Sequence, residues 1–499
     1  MPEAEKTSPP PPWPPTNPYE PPKGTSQEFA YKTGRHSFRY SAAADWVVLR
    51  KKEKPLAEIF HVFYRKLEDN SRRPLTFVFN GGPGASSAYL HVGALGPVRV
   101  GFGNDGELLP PPPRMVDNGD SWLPFSDLVF VDPVGTGFSR TVDKPPEKPG
   151  DKEEDNKEFF GLNRDLESLG EFISKFLSKH RLWSRPVFIA GESYGGFRVA
   201  KLARKLQEGY GVGLNGAILI SPALEIALLN GSDYDVLMWA DALPSFVLAA
   251  VHHGRSRAFK SDTPFDTVRQ EAERFATESL VPMLAMGDLL PEAERLKRYQ
   301  RLADLLGVSE DFVKLRGARI SAPAFTRELL RDQRLVCGLY DASATAVDPF
   351  PDRDSYSGAD PTLFAIERVF TGAINVQLRE TLGLETDRDY RLLSLDVNET
   401  WKNDGKQHSF EMQIGATDDL RYGMGLNAHM QVFIAHGYYD LVTPYFSSER
   451  IAQLMKMHPD HRARVTLRNY RGGHMFYSWT ESRTMFRHDM QAFYTHALS

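Results

Sequence analysis

Six short apolar runs constrain this chain more than any other feature of it. They are LTFVFN (75–80), DLVFVD (127–132), PVFIA (186–190), AILIS (217–221), QVFIA (431–435) and RVTLRNY (464–470). A run of five or six residues with no polar alternation is a strand covered on both faces, and such strands belong to parallel sheets. Helices must then cross over between them. One is clear, because Leu166, Leu169, Phe172, Ile173, Phe176 and Leu177 recur at helical spacing. Ahead of the first run, residues 36–66 alternate and are rich in Val, Phe and Tyr, which predicts antiparallel strands. The expected class is α/β, a central and mostly parallel sheet flanked by helices.

The rhythm has two interruptions. Residues 1–27 are dominated by proline, from Pro9 to Pro22, and read as a disordered tail or spacer, with a ligand for a proline-recognition domain as the alternative. Between 224 and 420 no buried strand recurs, and charged helical stretches such as PEAERLKRYQRLADLLG take over. The expected organisation is therefore a tail (1–27), a first core segment (28–223), an inserted and mainly helical cap (224–420), and a second core segment (421–499). An independent domain in place of a cap is the alternative.

Composition removes several function classes. The formal net charge is −5, with no basic field of the kind a nucleic-acid binder carries. No run of 18 apolar residues is present, so no membrane span is expected. The histidines show no zinc spacing; His252 and His253 are the closest pair, and adjacent positions do not face one another. No metal and no cofactor are expected. Cys337 is the single cysteine, so no intrachain disulfide forms. It reads as a small buried apolar residue. That usage, with no apolar leader at the start, favours the cytoplasm; a periplasmic or secreted location follows if a leader was removed. Oligomeric state is left open.

Chemistry enters at Gly191-Glu192-Ser193-Tyr194-Gly195. A lone G-x-S-x-G arises by chance in about one chain in five of this length and glycine content. Here PVFIA precedes it as a strand and GGFRVAKLARKLQ follows as a helix, the setting of a nucleophile elbow. A serine hydroxyl needs a base, and the base needs an acid to fix its tautomer. Two later strands run into loops that offer them in the required order, Asp440 in HGYYDLVTP and His474 in RGGHMFY. His436 is a rival base but precedes the acid. An oxyanion needs two backbone N–H groups. One comes from Tyr194, after the nucleophile; the other comes from the glycine loop Asn80-Gly81-Gly82-Pro83-Gly84, after the first buried strand.

Together FNGGPGASS, DLVFVDPVGTGFSR, FIAGESYGG, HGYYDLVTP and GGHM resemble the signature blocks of the serine carboxypeptidase family, over residues 75–480. The resemblance is closest to bacterial members, since the disulfides of secreted eukaryotic ones cannot form here. It implies an α/β-hydrolase fold with a helical cap, peptide substrates, and release of C-terminal residues through an acyl-enzyme. It further implies a triad of Ser193, Asp440 and His474, an oxyanion hole from the N–H groups of Gly82 and Tyr194, and binding of the substrate's terminal carboxylate by Asn80 and Glu192. Two positions depart from the pattern. Ala85 replaces the usual cysteine after the glycine loop. Ala94 replaces a glutamate that pairs with the elbow glutamate, which leaves Glu192 with a weaker cause for a raised pKa. An esterase or acyltransferase on the same fold, or a non-catalytic binding protein on a hydrolase scaffold, are the rival readings.

Overall fold

The computed structural model describes residues 19–34, 36–51, 53–68, 72–142, 157–229, 232–353, 356–402 and 414–499. Most of the proline-rich stretch lies outside these residues. Ten strands form one sheet: β1 (Thr25–Thr33), β2 (His36–Lys51), β3 (Lys54–Lys66), β4 (Leu75–Phe79), β5 (Asp127–Val131), β6 (Arg140–Thr141), β7 (Val187–Glu192), β8 (Gly216–Ile220), β9 (Gln431–Gly437) and β10 (Val465–Tyr470). Their order is β1-β2-β3-β5-β4-β7-β8-β9-β10, with β6 alongside β3. Strands β5, β4, β7, β8, β9 and β10 are mutually parallel, and β1, β2 and β3 extend the sheet antiparallel. This is the doubly covered α/β sheet that the apolar runs predict.

Strand β1 is the first difference from the sequence reading. Thr25, Ser26 and Gln27, assigned to the tail, pair with Ala44, Ala43 and Ala42. Its side chains are mostly exposed, as an edge strand's are, so its sequence carries little apolar signal. The tail's last residues are tied down as well: Tyr19 donates to Glu58, which is wholly buried. The second difference is β10, read as doubly buried but only half-covered, because it closes the opposite edge with one neighbour.

Alternate residues of the parallel strands feed two cores. Val78, Phe130, Phe188, Ile218 and Phe433 face one layer, which the helix Thr480–Ala497 covers with Phe486, Met490 and Phe493. Phe77, Val129, Ile189, Leu219 and Ile434 face the other. That layer is covered by α1 (Leu162–His180) and α2 (Tyr194–Gly209). All six apolar residues predicted to line α1 are buried.

The inserted stretch is not one body. Residues from Trp239 to Ala342 build a third apolar core, which reaches Tyr439, Leu441 and Trp479 of the sheet's own loops. Phe370, Ala373, Ile374 and Leu378 instead join the first core, and Leu420 and Met424 the second. Charged outer faces conceal this division in the sequence. Cys337 lies in the third core, where burial pushes its thiol up to about 12.

One ion pair joins the layers where the parallel strands end. Arg198, on the second turn of α2, is 1% exposed. Its guanidinium donates to both oxygens of Asp165 on α1, with Nε–Oδ2 at 2.7 Å, and to the Asn80 carbonyl at 2.7 Å. The Tyr194 ring lies 5.0 Å from the guanidinium carbon. A buried charge stripped of its partner costs about 3–5 kcal/mol, whereas apolar replacement of both partners is often neutral. Arg198→Met is therefore expected to lower the unfolding free energy by about that amount, and Arg198→Met/Asp165→Leu to recover most of it. Urea unfolding followed by circular dichroism measures both; a double variant no better than the single one would show that the carboxylate is not what suffers.

Candidate active site

Ser193 sits on the sharp turn from β7 into α2, with φ 61° and ψ −125°. That left-handed φ is strained for a non-glycine residue and is held by its surroundings. Its N–H donates to the Ile220 carbonyl of β8 at 2.9 Å, and its carbonyl accepts from Gly196 at 2.9 Å. The flanking glycines are required by space. A β-carbon on Gly191 would lie 2.2 Å from the Gly195 carbonyl, and one on Gly195 2.8 Å from that of Phe79.

The glycine loop lies flat against this turn. A β-carbon on Gly81 would sit 2.6 Å from Tyr194 N and 2.9 Å from Ser193 Cβ. Gly82 follows with φ +96°, a conformation suited to glycine. The loop's backbone and the N-terminus of α2 thus flank Ser193 together, where partial positive charge gathers.

Asp440 follows β9 and is wholly buried. Oδ1 accepts from the Val442 and Thr443 amides at 2.8 and 3.0 Å. Oδ2 accepts from His474 Nδ1 at 2.7 Å and from the Thr443 hydroxyl at 2.7 Å. An acceptor at Nδ1 puts the neutral ring's proton there and leaves Nε2 as the basic atom. Burial by itself would depress the His474 pKa; the Asp440 charge and hydrogen bond, with Glu192 adding, outweigh it and hold the imidazole above its ordinary value. His474 is anchored by its backbone too, its N–H donating to the Tyr340 carbonyl at 2.5 Å.

Ser221 was not singled out in the sequence, and it joins these parts. It follows β8 with φ +42°. Its hydroxyl donates to the His474 carbonyl at 2.8 Å, and its own carbonyl lies 3.0 Å from the Thr443 hydroxyl. The residue before it, Ile220, holds the Ser193 amide. The available signal was position: like the others, Ser221 ends a parallel strand, where ligands meet an α/β sheet. The Ser193 hydroxyl makes no hydrogen bond among the described residues. Serine-to-base contacts are often long before substrate binds. His436, the rival base, is buried within β9, faces the Ser448 hydroxyl at 2.8 Å, and is pushed down to about 4 chiefly by burial.

Glu192 ends β7 and is 3% exposed. Burial raises its pKa to about 7; Asp440 adds to this, while His474, Tyr477 and Asn80 oppose it. The weakened shift expected from Ala94 is thus offset, because desolvation is the leading cause and needs no acid at position 94. Asn80 donates through Nδ2 to Glu192 Oε2, and its Oδ1 accepts from the Leu90 amide at 3.0 Å. Beside His474 opens a cleft of about 500 Å³, lined by Tyr340, Asp341, Ile366, Met475 and Trp479, with Asp105 and Glu107 exposed at its rim. His252 reaches this cleft, while His253 Nε2 lies 2.8 Å from the Ala342 carbonyl. The ensemble holds a strained serine, an oriented imidazole, adjoining backbone amides and a carboxyl that titrates near neutrality, the parts that acyl transfer needs.

Residues 37–228 match the model of a family described as serine carboxypeptidase. Serine carboxypeptidase-like 13 of Arabidopsis thaliana is 30% identical over 174 residues, covering 34% of this chain and 37% of that protein. Serine carboxypeptidase-like 35 of the same plant is 31% identical over 244 residues, 46% of each chain. This chain matches both over less than half of their own length. Among solved structures, the prohormone-processing carboxypeptidase Kex1Δp of Saccharomyces cerevisiae superposes with a TM-score of 0.54 at 16% identity, covering 92% of this chain and 91% of that one. That likeness establishes the α/β-hydrolase fold.

Asp440→Asn keeps the shape but offers an amide that can donate to Nδ1, selecting the wrong tautomer. It is expected to lower kcat about 10⁴-fold with the fold intact. Hydrolysis of an activated ester, set beside a circular dichroism spectrum, checks this; more than a tenth of wild-type activity would remove Asp440 from the relay.

Proposed function

We propose that this chain, whose residues 37–228 match the serine carboxypeptidase family model, is a serine-type carboxypeptidase that releases C-terminal amino acids from peptides. The observation that carries the reading is Glu192, buried beside the nucleophile and joined to Asn80, with a pKa near 7. A plain esterase has no use for a neutral carboxyl there. A free C-terminus does, because a protonated Glu192 and the Asn80 side chain can hold a carboxylate without like-charge repulsion.

Each step then falls to a residue of this chain. With the terminal carboxylate held, the last peptide carbonyl lies over Ser193. His474 Nε2 takes the hydroxyl proton as Oγ attacks, and Asp440 stabilises the imidazolium. The N–H groups of Gly82 and Tyr194 receive the developing oxyanion. The imidazolium passes its proton to the leaving amine, and the C-terminal amino acid departs. Water, deprotonated by His474, attacks the acyl-enzyme in turn and restores Ser193. An acyltransferase would differ only in the nucleophile of this last step.

Ser193→Ala is expected to abolish turnover, a loss of about 10⁴-fold or more. Mass spectrometry of a mixed peptide library should show wild type removing single residues from free C-termini, and C-terminal amides resisting. Internal fragments, or equal cleavage of acid and amide, would overturn the carboxypeptidase reading.

The pH profile follows from two groups with opposite requirements. His474 acts as a base only when neutral, so activity falls as pH drops through its raised pKa. Glu192 serves a carboxylate only when protonated, so binding falls as pH rises through about 7. Because they are coupled, the limbs belong to the pair. For a free-acid peptide, kcat/KM should be a narrow bell with its alkaline limb near 7. Glu192→Gln should remove that limb, since an amide donates at every pH. It should also move the acid limb lower, because a negative charge beside His474 is gone. Superimposable profiles for wild type and Glu192→Gln would exclude Glu192 from the carboxylate site.

A further inference from the structure

Glu192 Oε1 is sealed from solvent and has no hydrogen-bond partner. Two other oxygens nearby share that condition, the hydroxyls of Tyr477 and Tyr89. Tyr477 is wholly buried and Tyr89 is 7% exposed. Glu192 shifts the titration of both phenols upward, and they are close enough to influence each other. The Tyr477 hydroxyl faces the Glu192 carboxyl closely enough to act on its titration as a hydrogen-bond donor, although it falls outside strict hydrogen-bond geometry. Buried polar atoms are nearly always satisfied, and leaving one unmet is costly. Here three such oxygens gather at one carboxyl.

Their chemistry says what. Burial keeps both phenols protonated, so each offers an O–H. Asn80 Nδ2 is already engaged with Oε2. The two unmet hydroxyls are donors, a protonated Glu192 offers a third at Oε1, and together they call for a compact acceptor with several lone pairs. Position reinforces this. Tyr89 follows the glycine loop, and Tyr477 lies three residues after His474. The Tyr477 ring would lie 3.3 Å from a β-carbon on Gly93, next to Ala94, where the resemblance leads one to expect a second glutamate. We propose that Tyr477 and Tyr89 are carboxylate-binding residues, their hydroxyls completing with Glu192 and Asn80 the pocket for the substrate's terminal carboxylate. Neither tyrosine is among the positions to which the resemblance gives that role. Two phenols in place of an acid give the pocket donors that do not depend on a shared proton.

The inference rests on the carboxypeptidase reading, and its test separates the two. Release of residues by wild type tests that reading. The tyrosines are tested by binding, with Ser193→Ala protein titrated calorimetrically with an N-blocked dipeptide and with its C-terminal amide. Adding Tyr477→Phe should weaken the free acid about ten- to a hundred-fold, the worth of a hydrogen bond to a charged group, and move the amide little. Tyr89→Phe should act in the same direction. An unchanged melting temperature excludes a folding defect. Equal weakening of acid and amide would assign Tyr477 a purely structural role, and an unchanged acid-to-amide ratio in both variants would overturn the proposal.

Discussion

A single guanidinium, that of Arg198, holds the active-site end of this protein in register. Its hydrogen-bond partners belong to two other segments, Asp165 on α1 and the Asn80 carbonyl at the end of β4, while the ring of Tyr194, at the start of its own helix, lies against it. A charge 1% exposed is stable only if its donors are met, so each segment must come to a fixed place for the fold to close. The glycine loop and the elbow approach one another to within a β-carbon's radius. Alignment of that precision is what preorganised stabilisation of an oxyanion requires.

The site's electrostatics derive from the same closure. Glu192, Asp440 and His474 are all buried, and their charges are felt at short range in a medium poorer in water than the surface. Burial and Asp440 pull His474 in opposite directions, and the carboxylate prevails. Burial pushes Glu192 up to about 7, and each of the two groups shifts the other. His474 and Glu192 are thereby linked, and a change at one is felt at the other. Raised-carboxyl chemistry survives the loss of the acid at position 94 because desolvation acts on any carboxyl.

The inserted helices shape the approach to this site. Their separate core, from Trp239 to Ala342, leans on Tyr439, Leu441 and Trp479, which belong to the loops that carry Asp440 and His474. The Tyr340 carbonyl holds the His474 amide, and its ring stands perpendicular to the imidazole at 5.3 Å. The insert thus holds His474 in place as well as lining the cleft.

The sheet and the placement of Ser193, Asp440 and His474 just past strand ends were legible because their signals are local. Doubly buried strands have to be continuously apolar, an elbow has to carry glycines, and the acid and base stand on loops a few residues past their strands. Edge strand β1 was not legible, since one neighbour and an exposed face leave no apolar pattern. Neither was Ser221, whose role consists of hydrogen bonds to residues more than two hundred positions away. The division of the inserted stretch among three cores was hidden for a related reason: apolar spacing tells which face of a helix is buried, not against what. The pKa of Glu192 depended on tertiary structure most of all. The sequence supplied the carboxyl and the loss of its partner at Ala94, and from these a weak shift followed. Only the fold decided how little water reaches it, and desolvation is a property of everything packed around a group.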